Sequence, residues 1–145
     1  MFTLRPATAD DAEAIRWLVH VGQINPTGLD WQRFMVAVSP AGEVIGCGQV
    51  KPHRDGSREL ASLVVHPDWR GGGVARALIE HLLAVHPGNL YLMCRSVLGP
   101  FYEKFGFRIV QPAEMPKYFR RISRLAGVLD RLRSEGVSLL VMKRD

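Results

Sequence analysis

The sequence predicts a mixed α/β fold of the α+β kind, with a central sheet of six to seven strands flanked by helices. Three observations predict it. Short β-rich runs alternate with segments whose apolar residues recur at helical spacing. Between residues 33 and 66, three such runs follow one another across tight-turn sequences, the pattern of an antiparallel meander. Over residues 58 to 95, a strand, a glycine-rich turn, a helix and a strand succeed one another as a βαβ unit, which is parallel across its crossover.

Phe2 to Arg5 reads as a first strand. Thr8 is placed to cap a helix beginning at Ala9, with Asp10 and Asp11 in the first turn, where the helix dipole favours negative charge. Ala14, Ile15, Leu18 and Val19 give that helix its apolar face. Gly22 breaks the pattern, and Asn25-Pro26-Thr27-Gly28 is a loop where a substrate could enter. Arg33 to Ser39 and Glu43 to Lys51 are strands around the turn Pro40-Ala41-Gly42. His53 to Ser57, containing Asp55-Gly56, turns the chain into a third strand, Arg58 to His66. After Pro67-Asp68 and three glycines, Val74 to Val85 reads as a helix with Leu78, Ile79, Leu82 and Leu83 inward, stopped by Pro87-Gly88. Leu90 to Cys94 is a mostly apolar strand, and Pro100 to Phe105 a short helix ended by Gly106. Phe107 to Val110 is a strand, residues 112 to 135 are basic and partly helical, and Val137 to Lys143 is the last strand.

No repeat, linker or low-complexity stretch interrupts the 145 residues, so 1–145 reads as a single domain. Apolar residues make up 47% and charged residues 23%, enough to bury a core without disulfides or metal. No apolar run approaches the roughly 20 residues that span a bilayer. The N-terminus reads Met-Phe-Thr-Leu-Arg and then turns acidic, unlike a signal peptide. Cys47 and Cys94 are the only cysteines and form no CxxC pair, so neither a structural zinc nor any other metal is expected, and the default compartment is the reducing cytoplasm. The net charge of +5 suits an anionic partner. Lys117, Arg120, Arg121, Arg124, Arg131 and Arg133 could track phosphates, but no nucleic-acid-binding motif accompanies them, so a nucleic-acid partner is not expected.

The chemistry centres on Arg70-Gly71-Gly72-Gly73 between a strand and a helix. Free amides of a helix N-terminus, with the helix dipole, form an anion site. Glycines let the backbone approach an anion closely, and Arg70 adds a permanent positive charge. The alternative is a plain flexible turn, and the triplet alone does not choose between them. The phosphate motifs GxxxxGK[ST] and GxGxxG are both absent.

In its wider context the turn resembles the cofactor motif [RQ]-x-x-G-x-[GA] of the GNAT superfamily of acetyl-CoA-dependent N-acetyltransferases. Here it reads Leu63-Val64-Val65-His66-Pro67-Asp68-Trp69-Arg70-Gly71-Gly72-Gly73-Val74-Ala75. A second signature follows in the right order as Tyr102-Glu103-Lys104-Phe105-Gly106-Phe107. The resemblance covers residues 2 to 111 and extends to the last strand. It implies acetyl-CoA as cosubstrate and a primary amine as acceptor. Main-chain groups of Leu63, Val64 and Val65 would pair with the pantetheine arm. The turn from Arg70 through Gly71, Gly72, Gly73, Val74 and Ala75 to Arg76 would hold the pyrophosphate. An amide near Val65 would polarise the thioester carbonyl. Tyr102 matches the tyrosine that usually sits by the coenzyme A sulfur, where its phenol can donate a proton as acid or simply orient the sulfur; the alternative is an amphipathic aromatic on a short helix.

Glu59 lies eleven residues before Arg70, the offset of the base glutamate in histone-acetylating members of the superfamily. Strand alternation would put Glu59, Ala61, Leu63 and Val65 on one mostly apolar face, where a carboxylate has a raised pKa suited to a base. The alternative is a surface charge paired with Arg58. Ser62 and His66 are weaker base candidates, while His53 and His81 are expected at the surface. Where many members carry Asn and Ala before the tyrosine, this chain has Arg95 and Leu98, which puts a cofactor contact from that loop in question.

The acceptor is not named by these motifs. Glu59 to Val65 is similar to the strand of N-acetylglutamate synthase-type enzymes, which makes an amino acid one alternative. The segment from Glu114 to Arg121 could clamp a carboxylate or be a solvated helix. A nucleic-acid-binding module and a non-catalytic acyl-CoA sensor complete the alternatives. A homodimer is a possible assembly, dimers being common in the superfamily.

Overall fold

The computed structural model describes residues 1–133 and 138–145, with side chains described outside 128–133. Seven strands join one sheet: β1 (Thr3–Pro6), β2 (Phe34–Val38), β3 (Val44–Pro52), β4 (Arg58–Val65), β5 (Leu90–Arg95), β6 (Arg108–Ile109) and β7 (Leu139–Arg144). Their order is β1-β2-β3-β4-β5-β7-β6. Four helices are described: α1 (Ala12–Val21), α2 (Val74–Val85), α3 (Gly99–Glu103) and α4 (Lys117–Arg133). The predicted mixed fold is therefore present, and the sheet has seven strands where the sequence predicts six to seven. The last strand is predicted from Val137, and the basic segment as far as Glu135; residues 134–137 lie outside the described residues.

The chain forms two compact units, Met1–Lys51 with Leu60–Pro87, and Pro52–Glu59 with Gly88–Asp145. In the first, β1 and β2 pair antiparallel, as do β2 and β3. Gly42, at φ +85, closes the β2–β3 turn as its N–H donates to Ser39 O. Odd and even residues of β3 have opposite surroundings, as a strand's period of two requires. A Cβ on Gly46 would sit 2.8 Å from Val74 Cγ1, and one on Gly48 would sit 3.1 Å from Leu82 Cδ1. The missing side chains are therefore what lets α2 seat. Cys47, on the other face, joins Ile15, Leu18 and Val19 of α1 with Phe34, Val36 and Val64 in one apolar cluster.

Two expectations for this unit are corrected. The helix predicted from Ala9 begins with a 3-10 turn over Ala9–Asp11, and α1 proper starts at Ala12. Thr8 is the N-cap residue as predicted, and Asp11 completes a capping box, its Oδ2 accepting from Thr8 N at 2.7 Å and from Arg5 Nη1 at 2.6 Å. The hydrogen bond from Arg5 pulls the Asp11 pKa down. Strict alternation also fails in β4. Ser62 sits at φ +57 in mid-strand, a local irregularity, so Glu59 and Ala61 cannot be assigned the face of Leu63 and Val65 by counting.

In the second unit β5 pairs with β7 over six residues, antiparallel, and β6 flanks β7. The start of β4 pairs parallel with β5 at Glu59 and Tyr91, the direction the βαβ reading predicts. Phe119 of α4 is fully buried with Tyr91, Val110, Met115 and Val141. Asp55, in the turn before β4, accepts from Tyr118 N at 3.0 Å and so caps the start of α4.

Candidate active site

The strand–turn–helix segment lies in the first unit. After β4, His66 Nδ1 accepts from Asp68 N at 3.0 Å, and Trp69 N–H donates to His66 O. The His66 ring stacks on Trp17 of α1, with centroids 5.3 Å apart. His66, a weaker base candidate, is thus built into the turn that leads to the glycines. Arg70 is exposed and its Nε reaches back to Val65 O at 3.4 Å.

Gly71 and Gly73 take φ +80 and +86, and Gly73 is the residue that opens α2. A Cβ on either would meet nothing within 4 Å. The requirement for glycine there is conformational, and the space over the turn is open. Ala77 N–H makes a helical bond to Gly73 O, so the amides of Val74, Ala75 and Arg76 precede it at the helix start. Arg76 pairs with Glu80 one turn on, at 3.2 Å. This is the arrangement of an anion-binding helix N-terminus.

The same unit holds a polar group that sequence reasoning passed over. Gln49 is fully buried, and its Nε2 donates to Ser62 Oγ at 2.9 Å and to Gly28 O at 3.1 Å. Lys51, 8% exposed, donates from Nζ to Thr27 O at 3.4 Å. The available signal was Gln49 and Lys51 alternating inside a strand otherwise built of small and apolar residues. Ser62, a weaker base candidate, accepts on its Oγ from Gln49.

In the second unit Glu59 is buried, against the alternative of a surface charge. Its Oε1 lies 2.8 Å from His53 Nε2, and the two side chains are 7% and 9% exposed. His53, expected at the surface, is instead enclosed. Its ring stacks on Tyr118 at 3.7 Å between centroids and meets the edge of Phe119. Aromatic residues 65 and 66 positions on pack against it, which no local pattern announces. His81 is half-buried. Beside His53 the surface opens into a pocket lined by Arg54, Asp55, Met115, Lys117, Tyr118 and Arg121 among others. The basic helix face named in the sequence thus borders that pocket in part; the side chains of Arg131 and Arg133 lie outside the described residues.

Tyr102 is in α3, its ring against Phe101 and Phe107. Burial, with a lesser contribution from Cys94, pushes its phenol up to about 12. It is therefore a neutral phenol across the physiological range. Arg95 ends β5 exposed. Among the described residues no group of three or more His, Cys, Asp or Glu is placed to hold a metal ion, and no helix is long and apolar enough to cross a membrane.

A mixed sheet bearing a glycine turn at a helix N-terminus defines a class of proteins that bind a phosphate-rich cosubstrate beside a strand. The family is identified directly. A family model described as the acetyltransferase (GNAT) domain matches residues 30–109, more than half of the chain, and the chain belongs to that family. Serotonin N-acetyltransferase of Mesocricetus auratus is 42% identical over 67 residues, which are 41% of this chain and 32% of that protein. Peptidyl-lysine N-acetyltransferase YjaB of Salmonella typhimurium is 34% identical over 59 residues, 39% of this chain and 40% of that protein. These matches thus span well under half the length of either relative. Among solved structures, N-acetylglutamate synthase from Neisseria gonorrhoeae, complexed with coenzyme A and N-acetyl-glutamate, superposes with a TM-score of 0.74. It is 20% identical, over 99% of this chain and 35% of that one. A Mycobacterium tuberculosis protein in complex with CoA and NLQ gives a TM-score of 0.71 at 23% identity, over 96% and 97% of the two chains. These likenesses establish the GNAT fold.

Proposed function

We propose that this chain is an N-acetyltransferase that moves the acetyl group of acetyl-CoA directly to a primary amine. The observation that carries the reading is the glycine turn: two left-handed glycines deliver the chain from β4 into α2 with open space above them. Leu63, Val64 and Val65 would offer backbone groups to the pantetheine arm. Arg70, Gly71, Gly72, Gly73, Val74, Ala75 and Arg76 would surround the pyrophosphate. The named N-acetyltransferases that resemble the chain support the same chemistry.

In the reaction the amine nitrogen attacks the thioester carbonyl. Glu59 removes the proton that blocks the nitrogen lone pair, as a general base. The carbonyl oxygen carries negative charge in the tetrahedral intermediate, and the Val65 amide would stabilise it. The carbon–sulfur bond then breaks, the thiolate takes a proton from Tyr102, and the nitrogen releases its remaining excess proton to solvent, from which the phenol is reprotonated, leaving the amide and free thiol. Burial keeps that phenol protonated, so its proton is present when the thiolate leaves.

The test is calorimetric titration with acetyl-CoA, followed by thiol release across amino acids, polyamines, aminoglycosides and peptide N-termini. Saturable binding with amine-dependent thiol release is expected. Binding without turnover by any amine would instead describe an acyl-CoA sensor. Absence of binding would refute the reading.

A further inference from the structure

Gln49 and Lys51 occupy alternate positions of β3, on the face that Cys47 shares with the α1 cluster. Over them lies the loop from Asn25 to Gly28, held by Asn25 Oδ1 accepting from both the amide and the hydroxyl of Thr27. Both buried side chains are tied to this loop, Gln49 to Gly28 O and Lys51 to Thr27 O. Gln49 uses its two amide donors on Gly28 O and Ser62 Oγ. Its Oε1 is buried and has no hydrogen-bond partner among the described residues. The amide cannot be turned over to relieve this, because Gly28 O requires a donor.

Lys51 has a complementary deficit. Its ammonium has one carbonyl at 3.4 Å, long for a charged hydrogen bond, and no carboxylate within 4 Å among the described residues. Burying a cation without its counter-charge is costly, as is orphaning a buried acceptor. Two such costs side by side on one strand, under one loop, are the marks of groups kept for a ligand.

We propose that Gln49 and Lys51 form an acceptor subsite for an amine that also carries a carboxylate, the α-amino acid class. The carboxylate pairs with Lys51 in place of the long Thr27 contact. Gln49 Oε1 accepts from the acceptor's amino N–H. Residues two apart in a strand lie about 7 Å apart, a span that an amino group and carboxylate on one carbon can bridge between two longer side chains. Ser62, bonded to Gln49, directly precedes Leu63, Val64 and Val65 in β4. The assignment rests on the N-acetyltransferase reading, which places the thioester along those three residues.

The test compares acetyl-CoA-dependent thiol release from matched pairs: phenylalanine with phenethylamine, lysine with cadaverine, glycine with methylamine. At least one amino acid is expected to exceed its decarboxylated partner by about tenfold or more in kcat/KM, since a site built to bind a polar group rejects the analogue lacking it. Lys51→Met should abolish that preference by raising KM for the amino acid alone, while leaving acetyl-CoA binding unchanged. Lys51→Arg should restore part of it. Removing an uncompensated buried cation leaves the fold at least as stable, so the variant is informative. Equal use of both partners, or a preference that survives Lys51→Met, overturns the subsite. No turnover of any pair with acetyl-CoA still bound overturns it too, while leaving the donor site standing. Loss of acetyl-CoA binding in the wild-type protein overturns the parent reading. In that case a thermal shift by phenylalanine that vanishes in Lys51→Met still supports the subsite, and its absence refutes it.

Discussion

Replacing the turn glycines one at a time separates backbone strain from ligand contact. Gly73 opens α2 at φ +86, and a Cβ added there would have nothing within 4 Å, whereas Gly72 has an ordinary φ and would place its Cβ 3.5 Å from Trp69 O. Gly73→Ala therefore meets no clash and carries only the left-handed penalty, about 1–2 kcal/mol. For a chain of this size each kcal/mol moves the thermal midpoint by roughly 2–4 °C, so a fall of about 2–8 °C is expected. Gly72→Ala is unstrained and should leave the midpoint within about 1 °C, because ordinary contacts add little. Acetyl-CoA affinity should fall in both, since each methyl is added to the turn over which a pyrophosphate would lie, in Gly73→Ala with open space around it. Thermal unfolding followed by circular dichroism and calorimetric titration of the two variants measure both quantities. Equal midpoints for wild type and Gly73→Ala would refute the strain argument. Undiminished affinity in Gly72→Ala and Gly73→Ala would refute the cradle.

Three further outcomes are expected. His53→Ala leaves the buried Glu59 carboxylate without its 2.8 Å partner, so chemical denaturation should show a loss of about 1–3 kcal/mol, and unchanged stability would refute a structural role for the pair. Tyr102→Phe should lower kcat by about a hundredfold with little change in KM, as loss of a general acid does. Because burial raises that phenol to about 12, no Tyr102-linked fall in rate should occur below the ordinary tyrosine range near 10, and a fall near pH 8 that disappears in Tyr102→Phe would contradict this. Asp11 titrates below its unfolded value, so its contribution is full above about pH 4 and fades as pH falls through the lower folded pKa; Asp11→Asn should flatten that acid limb in urea titrations and lower neutral-pH stability by about 1–3 kcal/mol.

Most of the architecture was legible in sequence because it is written locally. The turns at Gly42 and Gly56, the apolar face of α1 and the glycine run before α2 each lie within a few neighbouring residues. Errors arose where a distant group intervened. His53 has no buried pattern around it, yet Tyr118 and Phe119 enclose it. Ser62 looks like any strand residue, yet its positive φ interrupts the alternation used to orient Glu59.

By itself, the sequence determined the family and the glycine turn into α2, since strand, glycines and helix are contiguous and their conformation resides in a backbone that needs no distant partner. Tertiary structure alone decided which polar side chains are buried and what they meet. Gln49 reaches Gly28 O twenty-one residues away, Glu59 meets His53 across a turn, and Asp55 caps a helix sixty-three residues on. The reason is physical: a side chain's solvation and charge partners are set by whatever packs over it, and packing joins residues that no sequence spacing relates.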